Sequence, residues 1–90
     1  MKIYIAGSLT NNPRYKEQFK NAEKQLQSLG FDAINPVKPE GNEYKWYIDE
    51  GLKQLMQCDA IYMIHGWAES EGAMLEWLYA KTVGLRIIYE

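Results

Sequence analysis

Residues 60–89, AIYMIHGWAESEGAMLEWLYAKTVGLRIIY, hold the fold in small compass. Ala60 to Ile64 is a nearly continuous apolar run, the pattern of a central parallel strand covered on both faces. His65-Gly66-Trp67 reads as a loop, Ser70 as the cap of a helix running to about Val83, and Gly84 as its stop. Leu85 to Tyr89 is then a last strand. A strand, a helix and a second strand in that order predict a parallel pair joined by a right-handed crossover.

Upstream the same alternation repeats. Lys2 to Ala6 is a short β-branched and aromatic run that opens into Gly7-Ser8, a first strand. Asn12-Pro13 supplies a helix cap followed by proline at the first helical position, and Tyr15, Phe19, Ala22, Leu26 and Leu29 recur at helical spacing until Gly30. Phe31 to Asn35 is a second strand stopped by Pro36, and Val37 to Asn42 is a loop long enough to face a ligand. From Tyr44 to about Gln57, Ile48, Gly51, Leu52, Leu55 and Met56 share a helical face, with Asp49 and Glu50 in the early turns.

The expectation is one α/β domain over residues 1–90, βαβαβαβ. It is a three-layer α/β/α, flavodoxin-like or Rossmann-like four-stranded parallel sheet of order 2-1-3-4. Ligands of such sheets bind beyond the carboxyl ends of the strands. Here those ends are Gly7-Ser8, Asn35-Pro36 and His65-Gly66-Trp67.

Composition narrows the function. The net charge of −2 and singly scattered lysines and arginines offer no basic stripe, which argues against nucleic acid as a partner. No segment approaches the roughly 20 apolar residues that span a bilayer, and the MKIYIAG start is too short for a signal-peptide core, so a cytoplasmic protein with no membrane partner is expected. With Cys58 the only cysteine and His65 the only histidine, neither an internal disulfide nor a typical zinc or Cys/His site can be assembled. No metal or cofactor is expected.

In the third helix, Gly72, Ala73, Glu76, Ala80 and Val83 fall along one stripe, so a carboxylate sits among small residues that allow close approach to the sheet. Burying that carboxylate is costly unless hydrogen bonds or a substrate satisfy it, which points to function. A long charged side chain can equally escape to water from such a stripe. Two stretches bear on the choice: IYIAGS at the start, and CDAIYMIHGWAESEGAMLEWLYAKTVGL over residues 58–85. With a second strand ended by Pro36, and DEGLKQLMQCDAIYMI over residues 49–64 running into the second stretch, the chain resembles the nucleoside 2-deoxyribosyltransferase-like superfamily over most of its length. More narrowly, residues 58–85 resemble the DUF4406 family.

The resemblance implies roles. A glutamate in a D/S-x-G-x-x-x-E pattern is the nucleophile of the superfamily's enzymes, and Ser70, Gly72 and Glu76 match its three positions. Tyr4 matches a first-strand tyrosine that orients the nucleophile, and Asp49 an aspartate opening the second helix that handles the leaving base. The implied activity is hydrolysis of an N-glycosidic bond or transfer of deoxyribose through a glycosyl-Glu76 intermediate, with nucleophile and acid about 5 Å apart as in retaining glycosidases. Asp49 would serve equally as a helix N-terminal acid complementing the dipole, and Tyr4 as an ordinary half-buried strand aromatic.

Gly7, Ser8, Ser70, Gly72 and Trp67 are the expected substrate-binding residues. In nucleotide-specific relatives, serines matching Ser8 and Ser70 contact a 5′-phosphate, whereas Glu71 beside them would repel one. Without a ligand, Ser8 is a turn residue, Ser70 an N-cap, and Trp67 packs on a loop or a partner. The expected ligand is a nucleoside or nucleotide. Beside the established transferases the chain reads as shorter, with no clear fifth strand expected. Met74, Trp77, Leu78 and Lys81 on another face of the third helix leave surplus apolar surface, and the resemblance implies an oligomer, superfamily enzymes being usually dimers or larger, so a homodimer or higher homo-oligomer is expected. The rival reading is a non-catalytic module that binds a nucleotide or sugar phosphate.

Overall fold

A computed structural model of the chain describes residues 1–9, 12–36 and 41–90. The expected ligand-facing loop, Val37 to Asn42, lies largely outside the described residues. Along the chain run β1 (Lys2–Ala6), α1 (Tyr15–Ser28), β2 (Asp32–Ile34), α2 (Tyr44–Leu55), β3 (Ala60–Met63), a 3-10 turn (Trp67–Glu69), α3 (Glu71–Val83) and β4 (Arg86–Tyr89). The four strands form a parallel sheet of order β2-β1-β3-β4, as the alternation requires.

Strand periodicity sorts the core into two layers. Ile3 and Ile5 of β1, with Ala60 and Tyr62 of β3, turn to α1, where they meet Phe19, Ala22 and Leu26. Tyr4 and Ala6, with Ile61 and Met63, turn to the opposite face and pack with Leu55 and Ala80, from α2 and α3. Phe19 is 1% exposed, and burying a side chain of that size contributes about 1.5–3 kcal/mol.

The element ends show which local signals held. Ser70 caps α3, its Oγ accepting from the Ala73 N–H at 3.2 Å, and Gly84 ends the helix in the left-handed region at φ 83°. Asn12-Pro13 does not open α1: the helix begins at Tyr15. Asn12 Oδ1 accepts instead from the Arg14 N–H at 3.2 Å, a side-chain turn that competes with helix. Leu29, expected on the buried stripe, is 65% exposed because α1 has already ended at Ser28. Val83 and Met56, at the ends of their helices, are also exposed. Among the described residues no helix is long and apolar enough to cross a membrane.

Candidate functional site

In a 2-1-3-4 sheet the chain leaves β1 in one direction and reaches β3 in the other, and a crevice opens where the order reverses. A cavity of about 330 Å³ lies there, within the size range of small-molecule sites. Each surrounding element contributes: Gly7 and Leu9 follow β1, Tyr15 and Phe19 come from α1, Tyr44, Tyr47 and Ile48 from α2, and Ser70 and Gly72 from the start of α3.

Tyr4 and Glu76 also line this cavity. The alternation of β1 turns Tyr4 toward α2 and α3, and the small-residue stripe of α3 turns Glu76 toward β1. The Tyr4 hydroxyl donates to Glu76 Oε2 at 2.5 Å, with both residues buried. Among the described residues, Glu76 is the charged one buried with the core, 9% exposed. Burial pushes its carboxyl up from 4.5 to about 7, while the Tyr4 hydrogen bond works the other way by favouring the ionised form. The phenol of Tyr4 is raised well above 10, first by burial and then by the neighbouring carboxylate, so Tyr4 stays a donor. A carboxylate thus oriented, and half ionised near neutral pH, can act as a nucleophile or exchange a proton.

Gly7, Ser70 and Gly72 line the cavity together with Glu76. Ser8 sits between the lining residues Gly7 and Leu9, and its carbonyl accepts from Asn12 Nδ2 at 3.0 Å. Two expected residues lie elsewhere. The Asp49 carboxylate is 2.6 Å from Lys45 Nζ, one helical turn back, with 47% of the side chain exposed, and it is not among the described lining residues. Trp67 stacks on Trp77 at 5.4 Å between ring centroids and faces Tyr89 at 6.2 Å, away from the cavity.

Sequence reasoning assigned no site role to Gly51 or to Tyr15, Tyr44 and Tyr47. A glycine in the middle of a helix, about 1 kcal/mol less favourable than alanine, was a signal that something approaches closely there. The tyrosines carried no such signal, because aromatic residues at helical spacing read as core. Among the described residues no group of three or more His, Cys, Asp or Glu could hold a metal ion.

Comparison with known proteins assigns the family. The domain of unknown function DUF4406 matches residues 1–89, and the chain belongs to that family. A solved structure of a 2-deoxyribosyltransferase from the psychrotolerant bacterium Bacillus psychrosaccharolyticus is similar, with a TM-score of 0.76 and 21% sequence identity. The likeness covers 99% of this chain and 71% of that one, and at this identity it shows a shared fold. No curated protein matches the chain.

Proposed function

We propose that this DUF4406 chain cleaves the N-glycosidic bond of a 2′-deoxyribonucleoside or its 5′-monophosphate, with Glu76 as the nucleophile. The observation that carries this reading is the buried Glu76 carboxylate at the cavity wall, held by the Tyr4 hydroxyl at 2.5 Å. The fold shared with a 2-deoxyribosyltransferase supports it.

In this reading the ionised carboxylate attacks C1′ and forms an ester as the C1′–N bond breaks. The bonding electron pair leaves with the base, which takes up a proton. Water, or a second base, then attacks C1′ and releases Glu76 as a carboxylate. Tyr4 holds the carboxylate in place and favours its charged state. Asp49 is the proposed proton donor to the base, a role that requires it to exchange Lys45 for the substrate. The α3 N-terminus with Ser70, and Ser8 after β1, would receive the sugar 5′-hydroxyl or phosphate.

Chromatography of deoxyribonucleosides and their 5′-monophosphates incubated with wild type and Glu76→Ala tests the proposal. Base release by wild type and its loss in the variant would support it. Release that survives in Glu76→Ala would remove Glu76 from the chemistry.

One observation favours the rival reading, a nucleotide- or sugar-phosphate-binding module. Glu76 is the only carboxylate among the described lining residues, so none of them offers a second acid for the leaving base. That reading predicts saturable binding with no base release. A homodimer or higher homo-oligomer belongs to the same reading, supported by Met74 and Leu78 of α3, which are 47% and 53% exposed. Light scattering behind size-exclusion chromatography reads the mass.

A further inference from the structure

The contact between Tyr4 and Glu76 has a third party on α2. A Cβ atom built on Gly51 would stand 2.6 Å from Glu76 Oε2 and 2.8 Å from the Tyr4 hydroxyl oxygen, the two atoms that share the hydrogen bond. Both separations are shorter than any ordinary contact with a methyl group. No other neighbour comes within 3.4 Å of that point, so what Gly51 makes room for is the pair itself rather than a general helix crossing. By contrast, the Cβ at Gly72 would meet Ile48 and the Tyr44 hydroxyl, the signature of packing between α2 and α3.

We infer that Gly51 is a positioning residue for the Glu76–Tyr4 pair: the bare backbone of α2 at this point lets the carboxylate lie against the phenol at the cavity wall. Gly51 is buried in the middle of α2, where its φ is not in the left-handed region, so no turn or backbone conformation calls for glycine. The helix would gain from alanine there, and the space is what forbids it. Tyr4 is stiff and anchored in the central strand, whereas Glu76 has rotatable bonds. An added methyl group therefore drives the carboxylate off the hydroxyl. The consequence for chemistry rests on the reading of Glu76 as nucleophile; the positional claim does not.

The test needs no substrate, so its outcome is separable from that of the base-release assay. The Glu76 side-chain carboxyl is followed by carbon-13 NMR through a pH titration in wild type and Gly51→Ala. The expected result is a displaced midpoint, upward where the carboxylate stays buried, because the hydrogen bond that favours its ionised form is lost. A purely structural glycine would lower stability and leave the titration where it was. A Glu76 titration coincident with wild type overturns the inference.

If Gly51→Ala does not fold, the decision passes to the same substitution combined with Tyr4→Phe and Glu76→Ala, which removes both atoms the methyl group meets. Folding restored in the triple variant supports the inference. A triple variant that is still unfolded, while Tyr4→Phe/Glu76→Ala alone folds, overturns it, and if that parent fails the combination with Glu76→Ala alone is read in the same way.

Discussion

The hydroxyl of Tyr4 donates a hydrogen bond of 2.5 Å to Oε2 of Glu76, a residue 72 positions further along the chain. A strand and a helix from opposite ends of the sequence meet at one buried oxygen, and the properties of the cavity follow from that meeting. The first of them is a pH dependence of stability.

Glu76 titrates at about 7 in the folded protein against 4.5 as its ordinary value. The native state therefore holds the proton where the unfolded chain has released it, and stability declines as pH rises between these two values and is level above them. At about 1.4 kcal/mol per pH unit the decline is about 3 kcal/mol. In Glu76→Gln this decline is absent. Urea unfolding of both proteins at pH 4.5, 6 and 8 reads the difference, and parallel curves would contradict it.

Tyr4→Phe removes the donor and leaves the buried carboxyl without its partner, which costs about 1–3 kcal/mol. It also raises the Glu76 midpoint further, since the hydrogen bond lowers it. If base release occurs, its rising limb with pH moves in the alkaline direction in Tyr4→Phe. Rates measured from pH 5 to 9 give the comparison.

Asp49 and Lys45 form an exposed pair one helical turn apart, of the kind worth about 0.3–0.5 kcal/mol. Asp49→Asn therefore changes the melting temperature little. A large fall in base release at unchanged stability would mark Asp49 as the proton donor; unchanged release would leave it a surface acid.

Ser70 has a structural duty that can be separated from ligand binding. As the N-cap of α3 it accepts from Ala73, and Ser70→Ala costs about 1 kcal/mol whereas Ser70→Gly costs a few tenths. Thermal melts should show that order. Equal loss of nucleoside monophosphate affinity in both variants, by titration calorimetry, would show the hydroxyl to be a ligand contact, and affinity that tracks the melts would show only a cap.

What the sequence alone determined is local. The apolar run of β3, the Ser70 to Gly84 bracket around α3 and the alternation of strand and helix specify a parallel α/β sheet, because propensity, capping and burial period act over a few residues at a time. The same patterning brought Glu76 under suspicion as a carboxylate in a stripe of small residues. Only the tertiary structure decided that Glu76 turns inward to Tyr4, that Asp49 faces Lys45, that Trp67 lies on Trp77 and that Gly51 leaves the space in which the pair meets. The Asp49–Lys45 pair is an i,i+4 neighbour within α2, whereas the meeting of Tyr4, Glu76 and Gly51 depends on how closely α2 and α3 approach β1. That distance is set by the summed volumes of side chains far apart in the chain, to which no local pattern is sensitive.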